Sequence, residues 1–172
     1  MPHRNVEIKA RCSDPDRVRR VLTERGAGFR GTDRQVDTYF HCPNGRLKLR
    51  EGDIEYALIH YDREDVAGPK PSDVTLYRPP RDPALKAALA AALGTRVVVR
   101  KAREIYFIDN VKFHIDAVDG LGSFVEIEAI DATGGIGAET LRAQCAEYVV
   151  LFGLRAQDLL AHSYSDMLAG AD

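Results

Sequence analysis

The sequence has no excess of basic charge. Its 24 lysines and arginines stand against 26 aspartates and glutamates, a balance that argues against a nucleic-acid platform, whose footprint is a basic surplus. It has no apolar run long enough to span a bilayer. Its start, Met-Pro-His-Arg-Asn, lacks the apolar core of a secretory signal. The expectation is a cytoplasmic protein with neither membrane nor nucleic acid as partner, and a homodimer is left open. Paired cysteines are missing too. Cys12, Cys42 and Cys145 are odd in number and widely spaced, without the spacing of a zinc site or a disulfide framework, so they read as free thiols packed as small hydrophobes. What is present is 172 residues with 45% hydrophobic content, enough to bury one proper core, so 1–172 reads as a single domain.

Three helices are expected from their punctuation. Asp14-Pro15 supplies an N-cap and a first-turn proline, Val18, Val21 and Leu22 follow at helical spacing, and Gly26 stops the segment. Asp82-Pro83 repeats that start before a run of strong helix formers from Ala84 to Leu93, stopped by Gly94. The third runs from about 138 to 152 and is followed by a shorter apolar stretch at Leu159 and Leu160. Strand-like stretches lie near 5–11, 34–41, 46–51, 55–62, 73–79, 97–109, 111–118 and 123–130, with hairpin signals at Asn44-Gly45 and Asp119-Gly120. Residues 63–72, with Gly68-Pro69 and Pro71, read as a long mobile loop. Gly134-Gly135-Ile136-Gly137 reads as a linker, since it lacks the lysine and the strand-helix context of a phosphate loop. The expected class is α+β, mostly antiparallel.

The informative feature is the second face of these strands. In Val6 to Arg11 the apolar Val6, Ile8 and Ala10 share one face while Glu7, Lys9 and Arg11 share the other. The same alternation recurs in Leu47 to Arg50, Arg100 to Arg103, Lys112 to Asp116 and Phe124 to Glu128. For one strand alone, a solvated polar face is the better explanation. Across strands, however, the charges segregate: acidic at Glu126 and Glu128, basic at Lys48 with Arg50 and at Lys101 with Arg103. If the sheet closes, both signs face one lumen, and unpaired charges taken from water need a charged guest. Carboxylates suit a hard cation and the lysines and arginines suit phosphate oxygens, so the guest would be a metal polyphosphate.

At these residues the chain resembles the CYTH family, the class IV adenylyl cyclases and thiamine triphosphatases. Asn5-Val6-Glu7-Ile8-Lys9 resembles the family's N-terminal signature, whose usual form is Glu-x-Glu-x-Lys. Arg46 to Glu51 and Arg100 to Arg103 resemble its two basic strands, and His114 to Glu128 its acidic hairpin. Gly68 to Asp73 resembles the lysine-bearing loop of bacterial class IV cyclase-like members, and Ser163 to Leu168 their closing segment. The blocks keep the family's order and span almost the whole chain.

The resemblance implies a closed or nearly closed antiparallel β-barrel, the triphosphate tunnel, with helices packed outside and the alanine-rich helix as cover. It implies Mg²⁺ or Mn²⁺ held by Glu7, Asp116, Glu126 and Glu128, with Asn5 offering a carbonyl oxygen without charge where the family usually has glutamate. Catalytic roles fall to Glu7, Lys9 and Glu128, and phosphate contacts to Lys9, Lys48, Arg50, Lys101 and Arg103. Lys70 would close over the substrate from its loop, and Arg63 would reach in from the neighbouring strand. His114, on the face of Asp116, reads as a phosphate donor or as a structural histidine, and Tyr164 as a packing residue ahead of a base-stacking one. The implied substrate is a small-molecule triphosphate, ATP or tripolyphosphate, and the implied reaction is conversion of ATP to cyclic AMP and pyrophosphate. An inorganic tripolyphosphatase or thiamine or nucleoside triphosphatase stays open, as does a non-catalytic nucleotide or polyphosphate-binding protein.

Overall fold

Eight antiparallel strands close into a barrel in the computed structural model, which describes residues 2–170. The strands are β1 (Pro2–Arg11), β2 (Gly28–Phe40), β3 (Arg46–Gly52), β4 (Tyr56–Arg63), β5 (Lys70–Tyr77), β6 (Thr95–Ile108), β7 (Val111–Val118) and β8 (Gly122–Asp131). Their order around the barrel is β1-β5-β4-β3-β2-β6-β7-β8, and β8 pairs back onto β1. Four helices accompany them: α1 (Pro15–Glu24), α2 (Pro83–Leu93), α3 (Ala138–Leu151) and the short α4 (Tyr164–Leu168).

The helix starts follow their caps. The Asp14 carboxylate accepts from the backbone N–H of Arg17 and that of Asp82 from the N–H of Ala84, each ahead of a first-turn proline. Val18 and Leu22 of α1, with Leu141, Cys145 and Tyr148 of α3, press onto Val6, Ile8 and Ala10 of β1, Phe113 and Ile115 of β7, and Val125, Ile127 and Ala129 of β8. This larger core therefore lies outside the barrel wall, and Phe113, fully buried there, contributes on the order of 2–3 kcal/mol by burial alone. Because side chains alternate along a strand, covering that face turns the charged positions inward. α2 covers less than expected: none of its residues is buried, and Lys86 ties it to Glu51 at 2.8 Å.

Three local expectations change. β5 begins at Lys70, so the connection after β4 is shorter than 63–72; Lys70, Pro71 and Ser72 pair with Glu7, Val6 and Asn5. The proline and glycine signals hid this strand start, which only the free edge of β1 determines. β2 starts at Gly28 rather than near 34, and it pairs with β6 from Gly28↔Phe107 onward across an irregularity at Phe29/Gly31 that conceals the alternation. The Gly134 to Gly137 segment is a clamped loop: the Asp131 carboxylate accepts from the N–H groups of Gly134, Gly135, Ile136 and Gly137 at 2.7 to 3.3 Å. Among the described residues no helix is long and apolar enough to cross a membrane.

Candidate functional site

The barrel encloses a cavity of about 480 Å³, and its charged wall is assembled strand by strand. β1 contributes Glu7 and Lys9, β3 Lys48 and Arg50, β6 Lys101 and Arg103, and β8 Glu126 and Glu128, all at the cavity surface. Arg63 of β4 and His114 of β7 join them. Asn5, Lys70 and Asp116, also expected at the site, are buried around the cavity and do not line it.

Two buried carboxylates organise the cations. Asp37 of β2, fully inaccessible, receives two hydrogen bonds from Arg50 at 2.9 and 2.8 Å and one from Lys101 at 2.7 Å, with Lys48 at 3.3 Å. Burial alone would raise its pKa, but Arg50, Lys101 and Lys48 outweigh that and hold it well below the usual carboxylate range. Asp116 of β7 receives Arg103 through both oxygens at 2.8 and 2.7 Å and the Tyr164 hydroxyl at 2.8 Å. Its oxygens orient Arg103 and anchor α4. Glu126 stands within 3.4 Å of both Lys9 and Arg103, and 3.2 Å from Nδ1 of His114. Burial and the Arg103 charge push His114 down to about 4, so it is neutral near pH 7, and its Nε2 has no partner. Burial, reinforced by Arg63 and Lys48 against the pull of Glu126 and Glu7, lowers Lys9 to about 8.

The acidic side of the lumen is built around like charges. Glu7 and Glu128 occupy directly paired positions of β1 and β8. Glu7 is held by Arg63, whereas Glu128 receives the side-chain N–H of Asn5. Burial, with Glu7, Glu126 and Glu55 nearby and only Lys112 opposing, raises Glu128 to about 7. Asn5 is fully buried and its side-chain oxygen has no hydrogen-bond donor. An orphaned carbonyl oxygen beside a pair of facing carboxylate side chains is the donor chemistry a hard divalent cation takes, and the residues fit such a cation. Among the described residues, Asp65, His162 and Asp166 also bring ligand atoms within 4.8 Å of one another. That group lies outside the cavity lining, and Arg46 already donates to both aspartates, which makes it an ion-pair clasp for α4.

Beyond the expected site residues, four more groups in or beside the lumen shape it. Asp37 shares the phase of Gln35 and Tyr39 and was legible in principle, but an isolated acid on a strand carries no motif. Lys112 stands in phase with His114 and Asp116. Glu55 comes from the β3–β4 turn, where no alternation points to it. Its carboxylate takes Lys112, Arg50 at 3.2 Å and Gln35 at 3.0 Å. Asp33 fixes that turn by accepting from the N–H groups of Ile54 and Glu55 at 2.9 and 3.0 Å. A side chain at Gly52 would collide with the Asp33 carboxylate. The fourth is Tyr164, which floors the cavity with its ring centroid 3.7 Å from the Lys9 ammonium.

The floor belongs to the C-terminal segment. Asp166, beyond Tyr164, is gripped by Arg46 at 2.6 Å and Arg96 at 3.0 Å. Lys70, expected on a mobile loop, is instead fully buried on β5 and donates to the carbonyls of Val66, Leu160 and Ala161 at 3.0, 3.1 and 3.0 Å. All three of its protons are thereby engaged in holding the tail.

Comparison with known proteins places these features. A CYTH domain family profile matches residues 3–148. A candidate adenylate cyclase of Methanocaldococcus jannaschii is 28% identical over 137 residues, which is 72% of this chain and 75% of the relative. A conserved hypothetical protein of Pyrococcus furiosus superimposes with a TM-score of 0.78 at 21% identity, over 94% of this chain and 98% of that one. The structure of a candidate adenylate cyclase from Vibrio parahaemolyticus gives 0.75 at 18% identity, over 96% and 98%. Likeness at these identities shows a shared fold.

Proposed function

The chain belongs to the CYTH domain family, and from that premise we propose that it acts as one domain on a triphosphate held in the barrel lumen with Mg²⁺ or Mn²⁺, converting ATP to cyclic AMP and pyrophosphate. The observation that carries this reading is the lumen itself: Lys9, Lys48, Arg50, Arg63, Lys101 and Arg103 face one cavity beside the Glu7 and Glu128 pair. The adenylate cyclase name of the archaeal relative supports the choice of reaction.

The division of labour follows from the geometry. Asp37 and Asp116 hold Arg50, Lys101 and Arg103 in place before substrate arrives, so their donors meet phosphate oxygens without reorganising. Lys9 and Arg63, nearer the Tyr164 floor, meet the end of the chain of phosphates that enters first. Glu7, Glu126 and Glu128, with the Asn5 carbonyl, would hold the divalent cation, which when bound neutralises phosphate charge and polarises the reacting phosphorus. Glu128, raised to about 7, would give up its proton to hold a cation. Neutral His114 keeps its Nδ1 side on Glu126 and orients that carboxylate.

The reaction depends on which oxygen stands over which phosphorus. A ribose hydroxyl at the α-phosphorus yields cyclic AMP, and water at the terminal phosphorus yields orthophosphate. Incubation with ATP or tripolyphosphate and Mg²⁺ or Mn²⁺, with cyclic AMP, pyrophosphate and orthophosphate measured together, tests the proposal. Cyclic AMP with equimolar pyrophosphate is expected. Orthophosphate alone would make the chain a triphosphatase, and no product with retained ATP binding would make it a binding protein.

A further inference from the structure

One ion pair of the barrel joins elements that the sheet keeps apart. Glu55 belongs to the turn between β3 and β4, and Lys112 stands at the start of β7. In the ring of eight strands β7 lies opposite β4, with β3, β2 and β6 between them on one side and β5, β1 and β8 on the other. The contact of Glu55 with Lys112 is therefore a chord across the bore.

That chord crosses the mouth. Arg30 near the start of β2, Arg78 just beyond β5 and Phe107 near the end of β6 line the cavity at the same end, while Arg46 and Arg96, near the starts of β3 and β6, hold α4 at the other. His3, Arg30, Arg78 and Lys112 make the mouth basic, and Glu55 is the only carboxylate among the described residues that line it. The turn itself does not need the contact. Asp33 accepts from the N–H groups of Ile54 and Glu55, and the Gly52 N–H donates to the Glu55 carbonyl at 2.8 Å. Only the Glu55 side chain reaches over the bore. Arg50, its second cation, is fixed by Asp37 in any case, whereas Lys112 has no other hydrogen bond or ion pair among the described residues. Burial alone would raise Glu55, but Arg50 and Lys112 hold it below the usual carboxylate range.

We propose that Glu55 is a carboxylate gate on the barrel: it bars the mouth by engaging Lys112 and Arg50, and an incoming polyanion opens it by taking both cations over. The proposal rests on the reading of the lumen as a triphosphate site and adds to that site a residue which opposes binding. A single carboxylate offers one charge to the two cations and a triphosphate offers several, so the exchange favours the ligand once it has passed the basic rim. Because Asp33 holds the backbone of the turn, the opening is a rotamer change of one side chain and needs no loop movement. Lys112, once released, joins the other cations of the lumen, and Glu55 turns out to solvent.

Calorimetric titration of the full chain in Mn²⁺ with imidotriphosphate, which resists hydrolysis, tests the gate. Glu55→Gln removes the anion that the ligand must displace while keeping the shape of the side chain, and it should tighten binding about fivefold. Glu51→Gln removes the same charge from the outer face of β3, where its partner is Lys86, and should change the affinity by less than about twofold. Lys112→Met leaves the turn untouched and should weaken binding about fivefold, because the lysine freed from Glu55 passes to phosphate. The sign of the change separates a gate from a brace, since loss of a merely structural contact leaves the affinity unchanged or lowers it. Unchanged or weaker binding in Glu55→Gln, an equal gain in Glu51→Gln, or unchanged binding in Lys112→Met overturns the gate while leaving the triphosphate site standing. Failure of the ligand to bind the wild type overturns the triphosphate site and the gate with it.

Discussion

Glu7 and Glu128 face each other at one paired position between β1 and β8, and only Glu7 has an arginine. The asymmetry divides their chemistry. Arg63 donates to Glu7, while Glu128, beside a neutral asparagine amide and three other carboxylates, is raised to about 7. Burial and the neighbouring carboxylates raise Glu128, so a cation bound at this pair would favour its ionised form.

Stability of the metal-free protein should therefore fall between about pH 4.5 and 7. The folded-state value of Glu128 lies above the ordinary 4.5, so the native state binds more protons than the unfolded chain in that window. Its contribution is present below the window and is lost as pH rises through it, by at most about 3 kcal/mol. Denaturant titrations at a series of pH values should show the decline, and Glu128→Gln should flatten it. A slope that persists unchanged in Glu128→Gln assigns the proton elsewhere.

Replacing Glu126 and Glu128 together by glutamine should abolish turnover and weaken Mn²⁺ binding by at least about tenfold, because a hard cation needs carboxylate charge. Amide hydrogen bonding keeps the shape of both side chains, so the fold should survive, as circular dichroism would report. Metal affinity and turnover like the wild type would remove the pair from the site.

Asn5→Glu should tighten Mn²⁺ binding and shift the ratio of cyclic AMP to orthophosphate. The orphaned side-chain oxygen of Asn5 lies against Glu128, and an added carboxylate there strengthens the hold on a cation. The added charge also raises the cost of an empty site, so the metal-free variant should be less stable than the wild type. Manganese titration with both products measured in the same reactions reads the outcome. Identical affinity and product ratio would put position 5 outside the metal's surroundings.

Asp37→Asn should destabilise the protein by about 3–5 kcal/mol, since Arg50 and Lys101 would lose their shared counter-ion inside the barrel. Part of the loss should return on adding tripolyphosphate, whose oxygens replace the missing charge. Thermal unfolding with and without tripolyphosphate separates the two effects. A variant as stable as the wild type would show that Asp37 is not what holds the basic strands.

The strands, the two proline-started helices and the inward charges of β1, β3, β6 and β8 were legible in the sequence, because alternation along a strand and caps at helix ends are local effects. Val6, Ile8 and Ala10 needed a core, and once they had it Glu7 and Lys9 could only face the other way. The family signature added what alternation cannot, namely that the sheet closes. Tertiary structure alone decided the rest, because those features depend on residues far apart in sequence meeting in space. Asp37 became the counter-ion of three cations from two strands only when β2 settled between β3 and β6. Lys70 moved from a loop to a strand because β1 had an edge to pair, and its ammonium was drawn to carbonyls of a tail about ninety residues on. Glu55 reached the lumen from a turn that Asp33 holds, and Tyr164 closed one end of the bore through a bond to Asp116. Charge and spacing along the chain determined which side chains would face inward, but which of them pair with each other, and which stay free for a ligand, was decided by closure of the barrel around them.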